Sequence, residues 1–393
     1  MTIIQQPDGI EGSRMRGPCA TGDFAPCRDA DPPRDFDMPK GFEAPDGQAI
    51  LTNRAAPQGL AMVEGFASPE SFTVLAVSAE SALHGIESVV CVPTFRRPDL
   101  LEATLRSLAA QQGGHDFAVV VVENEGVERT GAARAAALLE AGLFKGLVIV
   151  EPRQGNCKAY NAAWRCALTR FPALKQVLGI DDDETAGPHW LDAFLRAAST
   201  SQAELFGGSV TPEFEDASRG WLSAHPVFRS HYQASGPVPM LYSSANYMIR
   251  REVLEHLGFP FFNEDFDFTG GGDTDFFTRA KAAGFRFWWV QEAAQRETMP
   301  ARRSEFGWIT ARALRNGALS AAIERRSHPG LAGRLRVLGK SLLLLAACAP
   351  RGLSLGLKTR SLLIGLYHAQ VAIGRLLWEI GVRHEPYRTP EKN

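Results

Sequence analysis

The sequence predicts an α/β fold built on a mostly parallel sheet with helices on both faces. From Glu87 onward, apolar runs alternate with helix-like segments. The runs are continuously apolar rather than alternating, as strands buried on both faces must be. Each run ends in a polar cluster, and open α/β sheets bind ligands at the carboxyl ends of their strands.

The elements follow in order. Ser88–Pro93 reads as the first buried strand, and Pro98 opens a helix whose Leu101, Leu105 and Leu108 share one face. Phe117–Val122 is the second strand, followed by an Ala- and Leu-rich helix over about 129–142. Leu147–Val150 and a helix over about 157–170 come next, then Gln176–Ile180. In the second half, Leu205–Val210 reads as a strand and about 250–257 as a helix. Asp273 and Asp275 open a helix to about Ala283, and Phe285–Trp289 is a further strand. Strand–helix alternation of this kind implies parallel pairing through crossovers. Phe72–Val77 fits a strand or a turn of helix equally well.

Composition limits the function. At 393 residues, with 45% hydrophobic and 22% charged, most of the chain can bury a core. A formal net charge of −2 excludes a strongly basic nucleic-acid binder, so no nucleic-acid partner is expected. The six cysteines have neither CxxC nor zinc-finger spacing and read as reduced, structural thiols of a cytoplasmic protein. The start of the chain has no basic segment followed by an apolar one, so no secretory signal is expected. Pro7–Gln48 holds 13 Pro plus Gly in 42 residues and reads as a flexible arm, giving a first segment of 1–85.

The strand ends carry the chemistry. They are Thr94-Phe-Arg-Arg-Pro98, Glu123-Asn-Glu-Gly126, Arg153–Asn161 and Asp181-Asp-Asp-Glu184. Two clusters are cationic and two anionic, which suits a phosphate ester held with a divalent metal. The first lacks G-x-G-x-x-G, which argues against a nicotinamide enzyme. Four successive acids after a buried strand repel one another unless a cation sits among them. If the strand continues that far, Asp181 and Asp183 point to one side. A solvated acidic turn capping the next helix is the plainer alternative.

Together, Val92-Pro-Thr-Phe-Arg-Arg-Pro98, Glu123, the Gly155…Ala159…Asn161 loop and Ile180-Asp-Asp-Asp-Glu184 resemble a family 2 glycosyltransferase of the GT-A fold, over about 88–310. Within the family the likeness is to bacterial exopolysaccharide enzymes that extend lipid-linked repeats. The resemblance implies a GT-A domain over 86–310 that transfers sugar from a nucleotide-diphosphate sugar by inversion, with UDP preferred over GDP by family habit. Pro93, Thr94, Phe95 and Arg97 would line the nucleotide pocket and Glu123 would contact uracil or ribose. Lys158 would face the diphosphate. Asp181 and Asp183 would be the D-x-D pair holding Mg²⁺ or Mn²⁺, with Asp182 beside the donor. Asp273, in Gly-Asp-Thr-Asp-Phe, matches the base that deprotonates the acceptor, although Gly272 stands where the family often has Glu; capping of the helix start is the alternative. Relatives place a loop over the diphosphate after the strand at 285–289, making Glu297, Arg302 and Arg303 candidates for metal or phosphate contact. Trp308, Arg312 and Arg315 share a helix face that would meet an anionic acceptor phosphate or a neighbouring acidic surface.

Residues 311–393 read as a basic, apolar, helical tail. The stretches 335–349 and 361–382 are too interrupted by charge to span a bilayer, and read as amphipathic helices lying on a membrane or on the protein's own core. From Arg296 to Asn393 the net charge is +11, while the other 295 residues carry −13. A basic, apolar tail suits anionic headgroups and a lipid-linked saccharide acceptor on the inner face of the cell membrane. A nucleotidyltransferase and a catalytically degenerate membrane-bound scaffold are the competing readings.

Overall fold

The computed structural model describes residues 72–382, together with Glu385 and Arg388. Most of the arm and Cys19 and Cys27 lie outside the described residues.

Ten strands are described: β1 Thr73–Val77, β2 Ser88–Thr94, β3 Ala118–Glu123, β4 Gly146–Val150, β5 Gln176–Ile180, β6 Glu184–Ala186, β7 Leu205–Phe214, β8 Gly236–Val238, β9 Asn246–Arg250 and β10 Phe287–Met299. They form one sheet of order β1-β4-β3-β2-β5-β9-β7-β10-β6, with β8 also on β10. The β4-β3-β2-β5 block is parallel, as is β7 with β10. β9 is inserted antiparallel between β5 and β7. Thr73–Val77, inside the stretch read as an arm, is an antiparallel edge strand on β4, so the sheet begins earlier than residue 86.

The helices are α1 Glu80–Leu83, α2 Pro98–Ala109, α3 Thr130–Glu140, α4 Asn156–Arg170, α5 Trp190–Thr200, α6 Arg251–Leu257, α7 Gly272–Ala282, α8 Phe306–Ser327, α9 Gly330–Thr359, α10 Leu362–Gly365 and α11 Tyr367–Glu379. They lie on both faces because each strand sorts its side chains with period two. Val89, Cys91, Val120, Val122, Leu147 and Ile149 pack with α4 through Ala163, Trp164 and Cys166. Val90, Val92, Val119, Val121, Val148 and Val150 pack on the opposite face with Leu101, Leu105, Ala132 and Phe194. The continuously apolar strands thus fill two cores at once. Cys91, Cys157 and Cys166 are buried free thiols, and Cys348 is a half-buried one.

The last strand departs from expectation. It runs to Met299, well past Trp289, so Glu297 lies within β10 opposite Glu184 of β6, not in a loop. Arg302 and Arg303 follow on a short 3-10 turn, Ala301–Ser304.

The tail is helical and bound to the body. Arg326 of α8 pairs with Asp265 (2.6 Å) and lies over the Phe266 ring. Helices α8, α9 and α11 are joined by a buried polar network centred on Arg375, which is wholly buried. Arg375 donates to Glu324 (2.7 Å), Ser320 Oγ (2.7 Å) and Ser341 Oγ (3.1 Å). Lys340 adds a second cation on Glu324 at 3.1 Å. Only a glycine fits at 374, where a Cβ would lie 1.9 Å from the Leu314 carbonyl oxygen; α11 therefore crosses α8 backbone to backbone. No helix among the described residues is long and apolar enough to cross a membrane.

Removing one member of this network leaves an uncompensated buried charge, at a cost of about 3–5 kcal/mol. Glu324→Ala is expected to lose that much in urea denaturation, and Glu324→Met with Arg375→Met to lose clearly less. Equal losses would contradict the reading.

Candidate active site

The site lies at the carboxyl ends of β2, β3 and β5, where these strands give way to turns. β5 stops at Ile180, and Asp181–Glu184 form a turn closed by the Glu184 N–H on the Asp181 carbonyl (3.2 Å). The extended alternation that would aim Asp181 and Asp183 the same way is absent, and each acid has its own partners.

Asp181 accepts from the Tyr160 hydroxyl of α4 at 2.7 Å. Asp182 accepts from Thr94 Oγ1 (2.8 Å), the Phe95 N–H (3.4 Å) and Arg97 (3.2 Å), so it holds the loop after β2 against the turn. Asp183 meets two guanidinium groups, Arg97 at 2.9 Å and Arg303 at 3.3 Å. Arg303 also pairs with Glu297 at 2.8 Å. The turn rests on Thr104 of α2, whose hydroxyl lies 2.6 Å from the Glu184 carbonyl oxygen and 3.1 Å from that of Asp182.

Two cations do not neutralise this cluster. Burial, then repulsion from Asp183, holds the Asp181 carboxyl well above the usual range. Burial and repulsion from Asp181 do the same for Glu184. Glu297 is pushed up by burial and by Asp183, with Arg303 opposing. Arg97 keeps its charge despite burial because Asp182 and Asp183 flank it. Five acids, Asp181, Asp182, Asp183, Glu184 and Glu297, thus share this corner with Arg97 and Arg303 as the cations paired to them.

Asp273 reaches the same place from the second half of the chain. It is the second residue of α7, whose cap position is Gly271, so it does not cap the helix. Its carboxylate accepts from the Thr274 N–H (2.7 Å) and the Ser244 N–H (3.2 Å). The Ser244 carbonyl in turn lies 3.3 Å from the Tyr160 hydroxyl. One residue thus connects Asp273 to the Tyr160–Asp181 pair. Burial raises the Asp273 carboxyl above its ordinary value, with the Thr274 and Ser244 N–H groups opposing. Neither Tyr160 nor Ser244 belongs to a motif that gives it a role in the sequence; the folded contacts bring the two together.

Other expected residues are engaged elsewhere. Glu123 is fully buried and accepts from the N–H groups of Glu125 and Ala132, both at 3.1 Å. Its carboxylate pins the β3 turn, and burial pushes it up to about 7. Lys158 pairs with Asp267, which also takes its N–H at 3.2 Å, and lies 3.9 Å from Glu264. Among the described residues it makes no ion pair with Asp181, Asp182 or Asp183. Pro93 is buried at the end of β2, paired with Val122. Phe95 is half-buried, with Arg96 over its ring.

The family model for glycosyl transferase family 2 matches residues 89–258. Over 240 residues the chain is 31% identical to the succinoglycan biosynthesis protein ExoM of Rhizobium meliloti (strain 1021), covering 59% of this chain and 72% of that protein. The chain belongs to glycosyl transferase family 2. Among solved structures it is similar to the mannosyltransferase PcManGT of Pyrobaculum calidifontis, determined in complex with GDP-Man and Mn²⁺. That match has a TM-score of 0.50 and 18% identity, covers 75% of this chain and 88% of the other, and speaks for the fold, which is GT-A-like.

As a family 2 glycosyltransferase, the protein is an enzyme, and the glycine at 272 calls for a physical reason. Cys157, near the start of α4, supplies it: a Cβ at 272 would lie 2.6 Å from the Cys157 sulfur. The helix carrying Asp273 is thus packed directly on the helix carrying Tyr160, with no room for a side chain between them. Gly272→Ala is expected to destabilise the protein by about 1–3 kcal/mol through overpacking. Adding Cys157→Ala should recover most of that loss in urea denaturation. A single variant as stable as wild type would contradict the packing account.

Proposed function

We propose that the protein transfers a sugar from a nucleotide-diphosphate sugar, with UDP as the preferred nucleotide, to a saccharide or lipid-linked saccharide acceptor in exopolysaccharide or cell-surface synthesis. The observation that carries this is the Asp273–Ser244–Tyr160–Asp181 connection, which sets a fixed, partly desolvated carboxylate beside the acidic turn. Similarity to a succinoglycan biosynthesis protein supports the exopolysaccharide setting.

The buried acids fit a divalent cation. Mg²⁺ and Mn²⁺ take oxygen ligands, and Mg²⁺ in particular uses one or two carboxylates and completes its shell with phosphate oxygens and water. Among the described residues no three His, Cys, Asp or Glu side chains are grouped so as to hold a metal ion, so phosphate oxygens of the donor and water would have to supply most of its ligands. Asp183 and Asp181 would hold the ion, with Glu297 at its edge. When bound, it supplies neutralising charge for the departing diphosphate.

The remaining work falls to side chains. Arg97 and Arg303 are held at the same edge and can pass from Asp183 to phosphate oxygens, for which a planar guanidinium is suited. Thr94 and Phe95, fixed by Asp182, shape the nucleotide side. Asp273 takes the proton of the acceptor hydroxyl as that oxygen attacks the anomeric carbon. A single base and no enzyme nucleophile give inversion in one displacement.

Access to a lipid-linked acceptor is the role we assign to the tail. On α9, Leu331, Leu335, Leu342, Leu353 and Leu357 are exposed and share one helical stripe; Leu362, Ile373 and Ile380 extend the apolar exposure into the following helices. An apolar stripe on a basic segment suits insertion among anionic headgroups on the cytoplasmic leaflet.

Asp183→Ala and Asp273→Asn are each expected to abolish release of nucleoside diphosphate from UDP-sugars with Mn²⁺ and membrane lipid extract, while melting as wild type does. Full activity in either would sink the assignment. The full-length protein is expected to float with phosphatidylglycerol-containing vesicles at low salt, and Leu342→Ser with Leu353→Ser and Leu357→Ser to weaken flotation severalfold. Absence of flotation by the wild type would contradict the membrane role.

A further inference from the structure

Gln295 is wholly buried in β10, and no sequence pattern marks it. The register of β10 on β7 shifts between Val290 and Gln295, so the strand bulges before it reaches the site. Asn246 of β9 holds this bulge, donating to the carbonyls of Ala293 (2.8 Å) and Ser209 (2.9 Å). Beyond the bulge, Gln295 stands opposite Ala186 of β6, and Glu297 opposite Glu184. That register puts the Gln295 and Glu184 side chains diagonally on one face of the two strands.

An amide buried there must satisfy both of its ends. The Gln295 amide nitrogen donates to Glu184 Oε2 at 2.7 Å and to the Ala245 carbonyl at 3.3 Å, and the amide oxygen accepts from the Trp190 indole N–H at 3.0 Å. The same Glu184 oxygen accepts from the Asp181 N–H at 3.2 Å. Ala245 follows Ser244, whose N–H donates to Asp273 and whose carbonyl lies 3.3 Å from the Tyr160 hydroxyl. Tyr160 donates to the Asp181 carboxylate at 2.7 Å. The contacts close a ring. Asp181 is held by its N–H through Glu184 and Gln295, and by its carboxylate through Tyr160. Both arms end on the Ser244–Ala245 segment that holds Asp273.

We propose that Gln295 is a positioning residue for the transfer: its amide couples the acidic turn to the Ser244–Ala245 segment and so fixes Asp181 against the proposed base. This rests on the transfer reading above and adds a residue to it. The place calls for an amide. A carboxylate at 295 would face the carboxylate of Glu184, and an apolar side chain would take this donor from both Glu184 Oε2 and the Ala245 carbonyl. A glutamine that only filled the core would need neither contact.

The test uses the full-length protein and its Gln295→Met variant, which keeps the volume and removes the amide. The control is Phe171→Leu, a core substitution where α4 ends, far along that helix from Tyr160. Hydrogen exchange of the Asp181 amide is followed without ligand by mass spectrometry. Gln295→Met should speed it by at least about tenfold, and Phe171→Leu by less than about threefold. Mn²⁺ binding in the presence of UDP should weaken about fivefold or more in Gln295→Met and stay within about twofold in the control. Glu184→Gln can keep an oxygen at the Oε2 position and should exchange as wild type does, whereas Glu184→Leu should match Gln295→Met. This second pair decides the question if Gln295→Met does not fold. The proposal is overturned if folded Gln295→Met leaves Asp181 exchange at the wild-type rate, if Phe171→Leu changes exchange and Mn²⁺ binding as much, or if Glu184→Leu and Glu184→Gln exchange alike. If the wild type fails to bind Mn²⁺ with UDP, the metal reading fails, and the exchange comparison still decides whether Gln295 holds the turn.

Discussion

The convergence of buried carboxylates beyond β5 is the constraint around which the rest of the molecule is arranged. Acids at the end of an all-apolar strand cannot spread into solvent, and each must find a partner nearby. Thr94, Phe95 and Arg97 answer for Asp182, Tyr160 for Asp181, and Arg97 with Arg303 for Asp183. These partners come from the β2 loop, α4 and the segment after β10, so the acidic turn ties together parts of the chain up to 120 residues apart. What remains unbalanced is what a donor and a cation would complete.

The same arrangement explains why the second half of the chain is needed. β9 runs antiparallel beside β5 and delivers Ser244 just before it to the Tyr160 hydroxyl. Packing of α7 on α4 across Gly272 then fixes Asp273. Helix α8 follows the short turn after β10 and carries Arg303's aromatic neighbour Trp308. The helices that expose an apolar stripe therefore continue from the segment that carries Arg303, and the Arg375–Glu324 pair holds α11 to α8.

Much of this was legible in the sequence because it depends on local pattern. Continuous apolar runs identified β2 to β5, Pro98 marked the start of α2, and the polar run after Ile180 pointed to the site. What was not legible depends on contacts distant in sequence. Thr73–Val77 is a short edge strand whose alternation is ambiguous until β4 pairs with it. Glu123 looks like a ligand in sequence, but the turn that follows folds its own N–H groups onto the carboxylate. Lys158 meets an aspartate 109 residues later. Glu297 looked like part of a loop because a run of polar residues continues β10 along a partly exposed edge. Tyr160 and Ser244 carry no motif; their roles exist only once α4, β5 and β9 are side by side.

The most direct measurement is Mn²⁺ binding by electron paramagnetic resonance in the full-length protein, with and without UDP. The account predicts that Mn²⁺ binds, that UDP tightens it by at least about tenfold because phosphate oxygens complete the shell, and that Asp183→Asn loses it while retaining the wild-type circular dichroism spectrum. Failure of the wild type to bind Mn²⁺ in the presence of UDP, or undiminished binding by Asp183→Asn, would contradict the assignment of the acidic turn as the metal and donor site.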